Sequence, residues 1–178
     1  PGDRSPRPPI KDSTMSSKRI DPNLLTPFIG TRYPPPFDQP GRTLQRRRLG
    51  NPAGLTQFGV NLLLLPPGAW SSQRHWHSGP DELVYVLSGE VTLVTDAGEE
   101  LLRAGDVAGF KAGDPDGHCL QNRSDADAQI LEVGSRVAGD AVTYPDIDLQ
   151  VVAGSEPGHF SHRDGTPYPP QHRSEPEA

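Results

Sequence analysis

Short runs of β-branched and aromatic residues, each closed by a turn, constrain the fold of this chain more than any other feature. Leu83–Leu87 (LVYVL), for example, ends at Ser88-Gly89. Apolar residues keep a helical spacing over no more than a turn or two. With 21 prolines and 19 glycines in 178 residues, this pattern predicts an all-β domain of short strands, built as a sandwich or a barrel.

The predicted strands lie between residues 55 and 135, and turn residues separate them. Asp96-Ala97-Gly98 stands between two of them, as expected for a hairpin. The pattern does not repeat along the chain, so we expect one barrel and not two. The predicted strands are Thr56–Leu64, Ala69–Trp76, Leu83–Leu87, Val91–Thr95, Glu99–Arg103, Val107–Phe110, His118–Asn122 and Ala128–Val133.

Around this β region the composition changes, and the chain divides into residues 1–14, 15–50, 51–137 and 138–178. The first segment is polar and precedes Met15, so we expect added or disordered sequence. The second contains Pro34-Pro35-Pro36 and is expected to be an irregular N-terminal arm, because proline does not suit a sheet interior. The third is the barrel. The fourth is a C-terminal tail, expected to pack on the barrel as far as Tyr168 and to be disordered beyond about Pro170.

Charge and cysteine content argue against several classes of protein. The net charge is −6, and the only basic cluster, Arg46–Arg48, is expected to be solvated, so we expect no nucleic-acid partner. The apolar run Leu62–Leu65 stops at Pro66, and no apolar run in the sequence approaches the length needed to span a membrane. Cys119 is the single cysteine, so no intrachain disulfide can form. With no secretory signal visible, we expect a cytoplasmic protein that has no membrane partner.

Four side chains indicate a metal site. In an extended chain residues two apart point the same way, so His75 and His77 can reach one ion. Glu82 begins the LVYVL strand, and His118 opens a strand after a glycine-rich loop. Each residue alone would also suit a surface or a loop. Together, three imidazoles and one carboxylate suit one first-row divalent metal per chain, Zn, Fe, Mn or Ni, with positions left for water or substrate.

Two alternatives to this ligand set remain open. Asp81 could replace Glu82, although Glu82 is favoured because it places Val84 inward and Tyr85 outward. His159 and His162 are three residues apart in the tail, a spacing that suits a second site on one helical turn as well as a solvated tail.

Strand alternation also predicts which neighbours share the pocket. Residues on the same face as the ligands are candidates, whereas Arg74 and Trp76 point away and are available for an interface. Cys119 also points away from the site and is not expected to be a ligand. The pocket candidates are Gln73, Val84, Leu120 and Asn122.

Two stretches resemble the motifs of the cupin superfamily. Gly68-x6-His75-x-His77-x4-Glu82-x6-Gly89 resembles the first motif. The stretch Gly105-x5-Lys111-x-Gly113-x4-His118-x3-Asn122 resembles the second, with Lys111 where proline is usual and a longer spacing before His118. The resemblance covers residues 55–135 and implies a double-stranded β-helix, or jelly-roll barrel, with the four ligands pointing into its mouth. Residues 144–149 (YPDIDL) and 164–168 (DGTPY) resemble a small bacterial monocupin subgroup, some of whose members are labelled sugar-phosphate isomerases.

Three functions are compatible with such a barrel, because fold does not fix function. The first is a metal-dependent isomerase or lyase acting on a small polar or anionic molecule, sugar-like or carboxylate-like, with the metal as Lewis acid. The second is an iron(II)-dependent dioxygenase, and the third is a non-catalytic module that binds a small ligand. No acid or base for catalysis is apparent in the sequence. A homodimer is expected, because a barrel with exposed edge strands needs them covered.

Overall fold

The computed structural model describes residues 18–155 and 159–169, so the predictions for residues 1–14 and beyond Pro170 lie outside the described residues. The strands are β1 Phe28–Ile29, β2 Gln45–Arg48, β3 Phe58–Leu65, β4 Trp76–His77, β5 Glu82–Ser88, β6 Glu90–Thr95, β7 Gly98–Arg103, β8 Val107–Phe110, β9 Cys119–Gln121, β10 Ala128–Ser135, β11 Val142–Tyr144 and β12 Leu149–Val151. Short 3-10 helices cover Pro22–Leu24, Gln39–Gly41 and Asn51–Ala53. Within the described ranges, no helix has the length and apolarity needed to cross a bilayer.

The strands form one large and two small antiparallel sheets. The large sheet has the order β1-β2-β3-β10-β5-β8, and the small ones have the orders β12-β11-β4 and β7-β6-β9. Isolated bridges pair His75 with His118 and Trp70 with Gln121. These bridges link the two small sheets edge to edge, so that together they stand opposite the large sheet. The all-β jelly-roll architecture is therefore confirmed.

The core lies between these layers and follows from the alternation of side chains along each strand. On β5, Val84 and Val86 are buried, whereas Leu83 and Tyr85 remain exposed. The other buried core residues come from the strands of both layers and from the segments next to them: Leu44, Leu63, Leu65, Ala69, Val91, Leu93, Leu102, Leu120, Ala128 and Ile130. Period-two burial of β-branched and aliphatic residues is the property that makes these runs strands and not helices.

The turn between β5 and β6 can be made only by glycine. Gly89 has φ of +75°, and a Cβ placed there would lie 2.7 Å from the carbonyl oxygen of Asp127 and 2.9 Å from the Cα of Ala128. Both the backbone angle and the close approach to the start of β10 exclude a side chain.

The arm expected to be irregular contributes two strands to the large sheet. β2 pairs with β3 in the register Gln45↔Leu64 and Arg46↔Leu63, and β1 pairs with β2 at the edge. The three consecutive prolines, residues 34–36, lie between the two strands, which keeps them out of the ladder. β2 could not be recognised from its sequence, QRRR, because all four residues are polar. The strand nevertheless pairs with β3 along its whole length.

The tail also contributes strands. β11 pairs with β12 on one side and with β4 on the other, through Val142↔His77 and Thr143↔Trp76. Tyr144 and Leu149 are buried, in a cluster whose other members are Val142, Tyr33, Phe37, Ile147, Val151, Phe160 and Tyr168. The predicted strand Ala69–Trp76 is shorter than expected. Residues 71–74 bend, leaving the two bridges and the short β4.

Candidate metal centre

The four predicted ligands come from three places in the chain. His75 immediately precedes β4, and His77 is the last residue of that strand. Glu82 is the first residue of β5, and His118 immediately precedes β9. The backbones of His75 and His118 exchange two hydrogen bonds, of 3.1 and 2.8 Å. This pairing explains how a histidine 43 positions further along the chain reaches the H-x-H pair.

The side chains converge at one point. One ligand atom from each of His75, His77 and Glu82 lies within 4.8 Å of the other two. His118 stands beside this group, with its Nε2 3.1 Å from Oε2 of Glu82. That oxygen is also 3.7 Å from Nε2 of His77. All four side chains are thus brought together, and their role as ligands stays a prediction.

The hydrogen bonds made by Nδ1 of His75 and His77 decide the tautomers of these two imidazoles. Nδ1 of His75 lies 2.9 Å from the carbonyl oxygen of Gln73, and Nδ1 of His77 lies 2.5 Å from Oδ2 of Asp140. Both partners only accept, so each neutral ring carries its proton on Nδ1. The two Nε2 lone pairs then face each other at 3.2 Å. A cation between them would turn this repulsion into coordination, so the donor set fits a divalent metal.

Asp140 is a site residue that sequence reasoning missed. Besides accepting from His77, its carboxylate accepts from the backbone N–H groups of Ser78 and Gly79, at 3.1 and 3.2 Å. A carboxylate held in this way orients a ligating imidazole and raises its basicity. Asp140 belongs to the segment expected to be tail, and no spacing links it to the H-x-H pair.

The electrostatics favour a neutral imidazole beside an ionised carboxylate. Burial lowers the pKa of His75 to about 3, and the neighbouring His118 adds to this shift. Burial acts to raise the pKa of Glu82, but the hydrogen bond from His118 and the charges of the histidines outweigh it and bring the pKa to about 2. Both groups are therefore in the protonation state that metal binding requires.

The ring of His118 is held by stacking. It lies parallel to Phe110, with ring centroids 3.5 Å apart and an interplanar angle of 2°. Its Nδ1 is buried without a hydrogen-bond partner. The ring plane is thus fixed by Phe110, while Nε2 faces Glu82.

The four side chains form part of the wall of a cavity of about 400 Å³. Of the predicted pocket residues, Val84 and Leu120 line this cavity. Gln73 and Asn122 do not. The amide of Gln73 donates to the carbonyl oxygen of Phe37, and the fully buried amide of Asn122 donates to the carbonyl oxygens of Leu65 and Ala126. Their side-chain amides are bonded to backbone carbonyl groups instead of facing the cavity.

Two tyrosines in the cavity wall were not predicted as site residues. The ring of Tyr144, on β11, lies 5.7 Å from that of His75 with an interplanar angle of 24°. Burial raises the pKa of Tyr144 well above its ordinary value and that of Tyr33 to about 12. Both phenols are therefore protonated at neutral pH. Tyr144 lies in the segment that the sequence predicts to be a C-terminal tail.

Charged residues also line the cavity, contrary to the expectation that Arg46–Arg48 is a solvated cluster. Arg46 is half-buried, and both Arg46 and Arg48 reach the cavity, together with Arg32, Arg136 and Glu132. Arg47, between the two, points the other way and donates to the carbonyl oxygen of Leu25. The alternation of β2, which a polar sequence concealed, accounts for this division.

Other predicted roles differ in the structure. Arg74 is not available for an interface, because its guanidinium is bound by Asp96 and Asp146 and its side chain is only 13% exposed. Cys119, expected to point outward, is buried, and the amide of Gln121 donates to its sulfur at 3.5 Å. Asp81 accepts a hydrogen bond from the N–H of Ala112 at 2.8 Å and so belongs to a loop.

The pair of tail histidines forms no second cluster within residues 18–155 and 159–169. In those ranges the one set of three close metal-binding side chains is that of His75, His77 and Glu82. His162 instead bonds Asp148 at 2.7 Å and stacks on Tyr168.

Comparisons with known proteins agree with this fold. The cupin domain family matches residues 61–134. No curated protein matches the chain. A cupin-superfamily sugar phosphate isomerase from Silicibacter pomeroyi is 40% identical, with 85% of this chain and 96% of that one covered and a TM-score of 0.78.

Two further solved structures are more distant. A candidate sugar phosphate isomerase from Acidithiobacillus ferrooxidans is 29% identical, with 68% of this chain and 76% of that one covered and a TM-score of 0.62. A predicted oxalate decarboxylase from Thermotoga maritima is 21% identical, covers 67% and 99% of the two chains with a TM-score of 0.56, and shows the fold alone. The architecture, the family match and the 40% identity over most of both chains agree, and the protein belongs to the cupin superfamily.

Proposed function

We propose that the protein is a metal-dependent enzyme of the isomerase or lyase type that acts on a small polar or anionic molecule. The observation that carries this proposal is the pair of Nε2 atoms of His75 and His77, 3.2 Å apart, with both Nδ1 atoms bound to acceptors. Two lone pairs at this distance are a poor arrangement for a purely structural pair. They are a good one for a divalent ion that also takes Glu82 and His118.

When bound, the metal would supply a Lewis acid that polarises a carbonyl or carboxylate oxygen of the substrate. The chain must then supply the groups that move the proton. Glu132 is a cavity carboxylate outside the ligand set, and its Oε1 accepts from Asn61 at 2.7 Å. We assign it as the proton acceptor. Tyr144 and Tyr33, whose phenols keep their protons, are the matching donors.

The proposed substrate is sugar-like and of a few carbon atoms. A cavity of about 400 Å³ suits a small molecule, and polar side chains line much of it. The relatives from Silicibacter pomeroyi and Acidithiobacillus ferrooxidans, named for sugar phosphate isomerisation, support the same class. We propose a cytoplasmic location, where phosphorylated sugars are found and a single free cysteine is stable.

The first test is metal content. Protein purified without oxygen is expected to carry close to one equivalent of a divalent metal per chain, with the identity read by mass spectrometry. Replacing His75 and His77 together by Ala is expected to abolish binding and leave a folded barrel. Because Asp81 lies beside the site but bonds Ala112, Asp81→Asn serves as control and should keep its metal. A double variant that retains a full equivalent would refute the site.

The second test is the reaction class. Metal-loaded protein is incubated with a panel of sugar phosphates in D₂O. Deuterium incorporation at carbon, with or without net isomerisation and without oxygen uptake, is the expected result. Glu132→Gln should reduce the exchange by about 10²- to 10⁴-fold, the usual contribution of a general base, while metal content stays unchanged. Oxygen consumption tied to substrate loss would instead assign a dioxygenase, and binding without turnover would assign a ligand-binding module.

A further inference from the structure

The cavity wall away from the candidate metal centre carries an unusual amount of positive charge for this protein. The whole chain has a net charge of −6. Yet four arginines, Arg32, Arg46, Arg48 and Arg136, line the cavity, against two carboxylates, Glu82 and Glu132. We call these four residues the arginine wall. An excess of guanidinium groups in a concave site of an acidic protein focuses positive potential on whatever enters.

The inner face of the large sheet places this wall at a fixed distance from the ligands. Arg48 pairs with Asn61 on β3, Asn61 pairs with Glu132 on β10, and Glu132 pairs with Val84 on β5. Paired residues share a face, so the row runs continuously from the arginine wall to the strand that begins with Glu82. Three steps between strands, at about 4.8 Å each, separate β2 from β5 by at most about 14 Å. Since the side chains at both ends reach inward, a molecule of a few carbon atoms fills the interval.

The neighbouring row contains no side chain between its ends. Gly59 pairs with Gly134, and Gly134 pairs with Glu82. A Cβ on Gly134 would lie 3.5 Å from Oε1 of Glu82, and one on Gly59 would lie 3.8 Å from Nε of Arg136. The two glycines therefore leave open the path between the carboxylate of the candidate metal centre and one guanidinium of the arginine wall. Ordinary strand residues would fill it.

Arg46 is the member of the wall whose bonding is incomplete. Its Nε is buried and has no hydrogen-bond partner. Its terminal nitrogen lies 3.6 Å from Oε2 of Glu132, longer than a hydrogen bond, and the other oxygen of that carboxylate is taken by Asn61. A buried donor without a partner costs about 1–3 kcal/mol, and guanidinium is suited to bidentate binding of carboxylate or phosphate.

The guanidinium of Arg136 is bonded by neutral groups. Its nitrogens donate to the carbonyl oxygen of Leu55 at 3.1 Å and to Oδ1 of Asn51 at 3.4 Å, both of which are neutral acceptors. The guanidinium is thereby oriented without being neutralised. An incoming anion meets one guanidinium with an unused donor and another that is held in place.

We propose that Arg46, with Arg48 and Arg136, forms a subsite that binds the oxyanion group of the substrate, a phosphate ester or a carboxylate, while the rest of the molecule extends toward the candidate metal centre. The proposal rests on the proposed function for the substrate's other end, but the subsite itself consists only of protein groups. It therefore binds oxyanions in the absence of metal. This property separates the two proposals experimentally.

The test is calorimetric titration of inorganic phosphate, and separately of malonate, into protein stripped of metal with a chelator. Millimolar binding of at least one anion is expected. Arg46→Gln should weaken it about ten- to hundredfold, the worth of a charge-assisted bidentate contact. Arg46→Lys keeps the charge but not the two parallel N–H donors of the guanidinium, so its anion affinity should lie between those of the parent and Arg46→Gln. Arg47→Gln is the matched control, because it removes the same charge from the same strand outside the cavity, and it should change affinity less than about twofold.

Thermal melting and metal content of each variant establish that the barrel is intact. Preference for phosphate would assign a phosphate ester as substrate, and preference for malonate a dicarboxylate, either of which supports the subsite. If the unsubstituted protein binds anions but no metal, the proposed function is wrong and the subsite stands. Normal metal binding with no anion affinity in stripped protein, or equal effects of Arg46→Gln and Arg47→Gln, would overturn the subsite and leave the proposed function.

Discussion

Each imidazole at the candidate metal centre is oriented by a different part of the molecule. His75 is held by a carbonyl group of its own segment, His77 by Asp140 beyond the last strand of the large sheet, and His118 by the ring of Phe110. None of these supports comes from another ligand. The rings are consequently held facing one another even in the absence of an ion, and this has a cost that depends on pH.

Stability of the metal-free protein is expected to fall as the pH is lowered below about 6.5. The pKa of His75 is 6.5 in its ordinary state and about 3 in the fold. Between these values the unfolded chain binds a proton that the folded chain does not, so unfolding is favoured increasingly as the pH falls toward 3. At pH 5 the loss attributable to His75 is about 2 kcal/mol. Urea unfolding of stripped protein at several pH values measures it.

His75→Gln is the variant that isolates this effect. It removes the titrating ring and should flatten the slope of unfolding free energy against pH between about 6.5 and 5. His162, which is partly exposed and bonded to Asp148, provides the matched control, and His162→Gln should leave the slope close to that of the parent. Equal slopes for the parent and His75→Gln would show that burial of His75 does not govern the pH dependence.

At the scale of elements, the strands of the central β region could be predicted, whereas the strands that the arm and the tail contribute could not. β5 and β8 lie close to their predicted bounds, because burial of Val84 and Val86 follows from the pattern LVYVL. β2 reads QRRR, and its pairing is specified by β3 and not by its own composition. The pairing of β11 with β4 could not be predicted, since pairing between distant segments has no local signal.

The site shows the same limit. The four ligand candidates could be found because strand alternation and the motif spacing place them together. Arg46 and Asp140 could not, because their contribution depends on which segment lies opposite in the fold. Strand parity alone predicts Gln73 and Asn122 as pocket residues. Parity does not reveal that a nearby backbone carbonyl oxygen accepts a hydrogen bond from each side-chain amide.

Gly89→Ala is expected to destabilise the protein by at least about 2 kcal/mol. The substitution adds the strain of a positive φ to a clash with the backbone of Asp127 and Ala128, neither of which can move without disturbing β10. Gly68→Ala separates the two effects, because its φ is +80° but no atom lies within 4 Å of the added Cβ. It should cost about 1 kcal/mol. Urea unfolding gives both values, and equal costs would mean that the contact is relieved without penalty.

At the scale of the whole molecule, the outer face of the large sheet carries a group of exposed apolar side chains at its β5–β8 edge. Leu83, Tyr85 and Leu87 on β5 and Val107 on β8 are between 38% and 52% exposed. Tyr85 and Val107 are direct partners across the two strands, so the exposed side chains are contiguous. The guanidinium of Arg74 is bound by the chain's own Asp96 and Asp146, so we predict that the outer face of the large sheet, and not the surface around Arg74, mediates self-association.

We therefore expect a homodimer in which two copies pack these faces about a two-fold axis, the usual symmetry of soluble oligomers. Light scattering at micromolar concentration should give twice the chain mass of 19.2 kDa. Tyr85→Asp should shift the mass toward the monomer, because it buries a charge at the centre of the apolar patch. Val152→Asp is the matched control, since Val152 is 48% exposed but lies in the tail, and it should leave the dimer intact. A parent protein that is monomeric under these conditions, or two variants that dissociate equally, would show that this face does not mediate the association.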